Sequence, residues 1–212
     1  IGVGGYIDAV VLPIITKLFK PSEIYIASHN SLKSHNLSMN LGLSVHTGLL
    51  DKYDFYFLNT PIWDYSTFLD LIPNNKPLWI EKPISDIANG ELETINKCIE
   101  QRNSNTYVGF NQRKLYGLQS IMKSKFIEGS LDFRVEFNKS VLYSQWKHCM
   151  IEGGIFYTDG IHAIDLALFI LGEKSLISNA YTKNPYTWIF EVVSERGKII
   201  VTIGNIDKNK YI

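Results

Sequence analysis

Glu81-Lys82-Pro83 closes the apolar run Pro77-Leu78-Trp79-Ile80, which places a lysine where a strand runs out at the rim of a sheet. In open α/β sheets, ligands bind outside the carboxyl ends of the strands. Proline has no N–H and fixes φ, so Pro83 ends the strand and aims the chain away. An ammonium held there can orient an oxygen and stabilise negative charge that develops on it. A second cluster lies further along, where Gly153-Gly154 precedes Asp159, His162 and Asp165. The three side chains fall at i, i+3 and i+6, over about one face of a helix. His162 is a candidate general acid/base, because an unperturbed imidazole titrates near neutrality. Glycines before a helix let backbone approach a ligand, and the helix N-terminus favours negative charge. Taken alone, a strand-end lysine is more often a surface charge, and a lone histidine on an apolar helix more often a core residue.

The opening Gly2-Val3-Gly4-Gly5 could make a phosphate-binding turn. A dinucleotide fold uses one glycine for the turn, one for backbone approach to the pyrophosphate and one for close helix–strand packing. Gly2 and Gly4 fill the first two roles. The third position falls on Ile7, which is bulky, and Gly5 is small but wrongly spaced. A pattern this degenerate is also met in ordinary tight turns. An acid at the end of the second strand would accept from the ribose 2′-OH of NAD. The chain reads Ala27-Ser28-His29-Asn30 there, with Lys33 close by. No carboxylate stands there to repel a 2′-phosphate, and Ser28, His29 and Lys33 could donate to one. The expectation therefore tilts toward NADP, with NAD the other candidate.

The elements that must position these residues alternate up to about residue 110. Ile1 to Val3 reads as the tail of a first strand, and Ala9 to Phe19 as a helix with Pro13 in its first turn or kinking it. Strands are expected at Glu23 to Ala27, Asp54 to Leu58, Leu78 to Ile80 and Thr106 to Phe110. Helices are expected at Leu32 to Leu41, capped by Gly42, at Tyr65 to Ile72 and at Glu91 to Arg102. This alternation argues for parallel βαβ units. The rhythm then changes. Leu115 to Phe126 reads as a helix, Leu131 to Phe137 as a strand, and Phe156 to Leu171 as a long apolar helix stopped by Gly172. Thr187 to Ser194 and Lys198 to Ile203 read as a hairpin joined by Glu195-Arg196-Gly197. The expected fold class is α/β: a Rossmann-type parallel-sheet domain over 1–109, then a smaller α+β domain with a mixed or antiparallel sheet over 110–212.

In this order, Gly2-Val3-Gly4-Gly5, Glu81-Lys82-Pro83, Gly109-Phe110-Asn111-Gln112-Arg113 and Gly153-Gly154 with His162 and Asp165 resemble the glucose–fructose oxidoreductase / inositol dehydrogenase / MocA family of nicotinamide-dependent oxidoreductases. The resemblance runs over most of the chain. It implies an NAD(P)-dependent oxidoreductase that moves hydride to or from a sugar, nucleotide sugar or polyol. Lys82 would polarise the reacting oxygen and His162 would relay the proton. Gly2, Gly4, Gly5, Tyr6, Ile7, Ser28, His29, Thr60, Pro61, Glu81 and Lys82 would hold the cofactor, Thr60-Pro61 under its nicotinamide half. Asn111, Arg113, Trp146 and Lys147 would lie toward substrate. Arg113 could fork to a carboxylate or phosphate, or form a structural salt bridge between domains. The family often has a histidine in the helix after Thr60-Pro61; Tyr65 is the nearest candidate here. Many members also carry an aspartate four residues before the histidine. Here that position is Thr158, with Asp159 one step on, and one step on a helix turns a side chain by about 100°. The departure leaves a second reading: a non-catalytic relative that keeps the pocket for sensing or protein interaction. A third is a biliverdin-reductase-like enzyme with an apolar pocket.

Composition fits without choosing among these. The 212 residues are 45% apolar and carry no formal net charge, which gives no sign of a nucleic-acid or acidic-lipid partner. No apolar run reaches membrane-span length, and no signal-peptide pattern is visible. Cys98 and Cys149 lack metal-ligand spacing, so reduced thiols and no metal are expected. The expectation is a cytoplasmic homo-oligomer associating through the second-domain sheet. The first strand and the second domain are expected to be cut short relative to the family.

Overall fold

The computed structural model describes residues 1–2, 7–28, 30–48, 50–61, 64–84, 92–135, 160–184 and 187–205. The chain divides into two compact units, Ile1–Gly109 and Phe110–Ile212.

In the first unit, two parallel groups of strands flank the chain's opening residues. β1 (Tyr25–Ile26) pairs with β2 (Ser44–Val45), and β3 (Tyr56–Leu58), β4 (Leu78–Ile80) and β5 (Thr106–Val108) pair side by side. Ile1 and Gly2 join the groups: the Gly2 N–H donates to Ala27 O at 2.7 Å, and the Asn59 N–H to Ile1 O at 2.9 Å. The Ile1 amine donates to Phe57 O, so Ile1 brackets Leu58 in the parallel hydrogen-bond pattern. The spatial order is β2, β1, Ile1–Gly2, β3, β4, β5. This is the order of a doubly wound dinucleotide-binding sheet, with its reversal between Ile1–Gly2 and β3.

Sequence chemistry explains the flanking helices. A π-helical turn, Ile7–Val11, runs into α1 (Leu12–Leu18), and Pro13 falls in the first turn of α1. Ile7, Leu12, Ile24, Ile26 and Leu43 form one buried apolar cluster. α2 (Ser31–Leu41) is opened by the Asn30 side chain, which accepts from the Lys33 N–H at 2.9 Å, and is closed by Gly42 at φ 68°. α3 (Tyr65–Leu71) and α4 (Leu92–Glu100) pack on each other, and Tyr65, Leu69 and Ile95 are buried. Arg102 fastens the end of α4 to the α3–β4 turn. Its guanidinium donates to Pro73 O at 2.9 Å and Lys76 O at 2.7 Å.

The second unit is a mixed sheet with a helix on one face. Its strand order is β6-β9-β8-β7, from β6 (Ile127–Val135), β7 (Leu176–Asn184), β8 (Thr187–Ser194) and β9 (Gly197–Asn205). β6 runs parallel to β9, and the other two pairings are antiparallel. The expected β8–β9 hairpin is present. α6 (Ile161–Leu171) lays Ala163, Leu166, Ala167, Ile170 and Leu171 onto Phe190, Val192, Ile199, Val201 and Ile203. Arg196, in the hairpin turn, ties helices to sheet: it donates to Ile170 O at 3.0 Å and Ser124 O at 3.1 Å, and also to Met122 O.

Several elements depart from the sequence expectation, β2 (Ser44–Val45) among them, where no strand was expected. The helix expected at Leu115 to Phe126 is a 3₁₀ turn, Asn111–Lys114, followed by the short α5 (Leu118–Met122). Gly117, at φ 85°, breaks the run. The strand expected from Leu131 starts at Ile127, because its pairing with β9 begins there opposite Gly197. β7 was not expected: Leu176–Asn184 is a polar edge strand with register shifts, held by β8.

Candidate functional site

The carboxyl ends of β1, β3, β4 and β5, with Gly2 among them, form one rim in the first unit. Gly2 sits at φ +90°, and a Cβ there would lie 2.3 Å from Asn59 O. Only glycine allows the first strand to leave the sheet this close to β3. Next to it Thr60 is buried, and its hydroxyl oxygen has no hydrogen-bond partner. An orphaned buried hydroxyl needs an explanation, and an absent ligand or water is the usual one. It lies at the reversal of strand order, where doubly wound sheets take their ligands. Pro61 follows, its carbonyl accepting from the Asp64 N–H at 3.0 Å.

The Glu81-Lys82-Pro83 turn is anchored from several directions. The buried Tyr65 hydroxyl donates to Glu81 O at 2.7 Å. The Glu81 N–H donates to Leu58 O at 3.1 Å. Trp79 Nε1 donates to Glu81 Oε1 at 2.9 Å. The Glu81 carboxylate also fills the space that a side chain at Gly109 would take: a Cβ there would lie 2.7 Å from Oε2. Burial pushes the Glu81 carboxyl above the usual range, partly offset by the Trp79 hydrogen bond and the Lys82 charge. Lys82 is half-buried, and its bond to Pro83 is cis. Tyr65, the nearest candidate for the histidine that the family often has here, supports the backbone of this turn. A lysine on such a fixed strand end is suited to holding an oxygen on which charge develops.

At the end of β1 the polar groups are spent locally. Ser28 Oγ accepts from the Asn30 N–H at 3.1 Å, and Asn30 caps α2. Lys33 pairs with Asp8 at 3.1 Å. Asp8, in the first turn after the glycine-rich segment, bears no motif in the sequence, and only the fold brings it beside α2. Ile7, expected among the cofactor residues, is buried in the apolar cluster. Its bulk fills the core where the usual third glycine would permit closer helix–strand packing.

In the second unit, α6 has a second face. His162, Asp165 and Phe169 point toward the segment Phe110 to Arg113. Arg113 forks onto both oxygens of Asp165, Nε to Oδ2 at 2.8 Å and Nη2 to Oδ1. Its guanidinium carbon lies 5.4 Å from the centre of the Phe110 ring and 5.0 Å from that of Phe169. The Asp165 hydrogen bonds hold Arg113 further above its ordinary pKa. The fork expected for Arg113 thus closes on a carboxylate of its own unit, not on one across the two units. Asn111 is exposed on the same 3₁₀ turn. His162 is buried, edge-on to Phe110 at 6.0 Å between ring centres. Gly4, Gly5, Tyr6, His29, Trp146, Lys147, Thr158 and Asp159 lie outside the described residues. Among the described residues, no His/Cys/Asp/Glu group is arranged to hold a metal, and no helix is long and apolar enough to cross a membrane.

The chain thus carries a doubly wound sheet followed by a mixed sheet backed by one helix. The structural neighbours are dehydrogenases of the glucose–fructose oxidoreductase / inositol dehydrogenase / MocA type. A dehydrogenase (MviM) from Clostridium difficile has a TM-score of 0.73 at 19% identity, over 96% of this chain and 68% of that one. The scyllo-inositol dehydrogenase of Lactobacillus casei has a TM-score of 0.71 at 18% identity, over 97% of this chain and 67% of that one. The WlbA (WbpB) dehydrogenase of Thermus thermophilus, solved in complex with NAD and alpha-ketoglutarate, has a TM-score of 0.67 at 16% identity, over 96% of this chain and 71% of that one. The chain thus spans about two thirds of the length of these neighbours. At such identities the likeness establishes the fold. No family model matches the sequence, and no curated protein matches it.

Proposed function

We propose that the chain is an NAD(P)-dependent oxidoreductase that transfers hydride to or from a sugar, nucleotide sugar or polyol. The observation that carries this is the rim of the first unit: Gly2 in close backbone approach, the orphaned Thr60 hydroxyl and the anchored Lys82 turn share the carboxyl ends of one parallel sheet. These residues fit a nicotinamide dinucleotide, with Gly2 toward the pyrophosphate and Thr60-Pro61 toward the nicotinamide half. When bound, such a cofactor supplies the hydride acceptor or donor. Lys82 orients and polarises the substrate oxygen; His162 is the acid/base that the family resemblance implies. The neighbours' printed names, a scyllo-inositol dehydrogenase among them, support the polyol class.

Titration calorimetry with NAD, NADP and their reduced forms tests the reading. Binding of at least one supports it, and no binding at millimolar concentration refutes it. Ile7 in the core where the usual third glycine would stand favours a second reading, a relative that binds cofactor without turnover. Tight cofactor binding with no oxidation of any tested sugar or polyol would select it. We also propose that copies associate through the sheet face turned away from α6. That face presents Tyr181 and Ile200, 53% and 39% exposed, around the Glu191–Lys198 pair.

A further inference from the structure

We propose that Asp8, through its ion pair with Lys33, makes this chain select a dinucleotide whose adenosine ribose is unphosphorylated, NAD over NADP. The inference rests on the dinucleotide reading above and extends it to a residue that no motif marks. In a doubly wound sheet the ribose 2′ position lies at the end of the second strand, where a carboxylate commonly accepts from the 2′-OH. Here that strand is β1, and Gly2 bonds to Ala27 just past its end. The sequence offers no acid at Ala27-Ser28-His29-Asn30, which by itself favours a 2′-phosphate. The fold reverses that inference. Asp8 Oδ2 stands 3.1 Å from Lys33 Nζ, linking the first turn after the glycine-rich segment to the first turn of α2. Both turns start at the carboxyl ends of adjacent strands.

Two consequences follow. The described cation nearest the 2′ position is already neutralised, and a carboxylate has been brought in from another element. A 2′-phosphate carries about 1.5 to 2 negative charges at neutral pH. It would meet the Asp8 carboxylate, whose charge offsets the attraction of Lys33 for it. Ser28 Oγ accepts from the Asn30 N–H and Asn30 Oδ1 from the Lys33 N–H, which leaves donors on both side chains that serve a ribose hydroxyl and a phosphate alike, so they do not discriminate. A free ribose diol is neutral and donates, so it is compatible with the carboxylate. The Asp8 side chain is 34% exposed, and its second oxygen, Oδ1, is buried without a hydrogen-bond partner, so the carboxylate's accepting capacity is not used up by Lys33.

Calorimetric titration of the full chain with NAD and with NADP, in low salt, tests this without any need for a substrate. The wild type should bind NAD at least about tenfold tighter, the scale of one charge-assisted hydrogen bond. Asp8→Asn should release Lys33 and tighten NADP about tenfold, and Asp8→Asn with Lys33→Met should lose that gain. Lys33→Met alone should weaken NADP further while leaving NAD within about threefold, which keeps the test alive if the Asp8 variants do not fold. Equal wild-type affinities overturn the inference while leaving the dinucleotide reading intact. So does an unchanged NAD/NADP ratio in folded Asp8→Asn, or stronger NADP binding in Lys33→Met. Binding of neither dinucleotide overturns both.

Discussion

Gly109→Ala should damage the Lys82 turn although residue 109 bears no functional group. A Cβ at position 109 would lie 2.7 Å from Glu81 Oε2 and 2.8 Å from both Cδ and Oε1. Real Cβ atoms do not come that close, so the carboxylate must leave. It then gives up the Trp79 Nε1 hydrogen bond of 2.9 Å. A hydrogen bond to a buried charged group is worth about 1.5–3 kcal/mol, and an overpacked core adds about 1–3 kcal/mol. One displacement of the carboxylate causes both, so the expected loss is about 2–4 kcal/mol. Equilibrium urea unfolding measures it. The diagnostic is a double-mutant cycle: with Glu81→Ala already in place, the added methyl meets empty space and should cost less than about 1 kcal/mol. Additive losses in the double variant would refute the argument, as would a Gly109→Ala variant within about 0.5 kcal/mol of wild type.

Glu81 also sets a pH dependence. Burial raises its folded-state pKa, so between the ordinary glutamate pKa and the raised one the native state holds a proton that the unfolded state has lost. Stability should therefore fall as pH rises through that window, and Glu81→Gln should flatten the slope of urea midpoint against pH. Lys82→Met should raise the reaction barrier by about 3–4 kcal/mol, the scale of one lost oxyanion stabiliser, with cofactor affinity within a few-fold; more than about a tenth of the wild-type rate would remove Lys82 from the chemistry. Arg196→Lys should cost about 2 kcal/mol in unfolding, because a point charge cannot serve Ile170, Ser124 and Met122 carbonyls as the planar fork does. Ile200→Glu should shift the protein toward monomer by light scattering without lowering its melting temperature, if the open sheet face carries the contact between copies.

The sequence revealed what depends on local pattern. The strand at Leu78–Ile80 and the Gly42 cap depend on nearby residues alone, and the β8–β9 hairpin on a short turn; all three were read directly. β7 was not legible, because its polar residues become a strand only by pairing with β8. The order of the parallel strands was illegible for the same reason: it rests on the bonds from Ala27 and Asn59 to the two opening residues. At the candidate site the sequence singled out Glu81, Lys82 and Gly109 but not their relation. Only the fold shows that Gly109 is the space into which the Glu81 carboxylate fits.

Charge pairing was the least legible feature and bears most on function. Read as isolated residues, Lys33, Lys82 and Arg113 were each a candidate to meet a ligand: a 2′-phosphate, the reacting oxygen, and a carboxylate or phosphate. The fold separates them. Arg113 closes a bidentate pair on Asp165, 9% exposed, between the rings of Phe110 and Phe169, which turns a candidate substrate fork into the fastening of α6. Lys33 is turned to Asp8, which converts a candidate phosphate donor into part of a neutral pair. Lys82 is adjacent in sequence to Glu81, whose carboxyl burial pushes above its ordinary pKa against the opposing pull of the Trp79 hydrogen bond and the Lys82 charge. Lys82 stays the proposed cation for the reacting oxygen because it stands at the carboxyl end of β4 on a turn anchored by Tyr65 and Trp79.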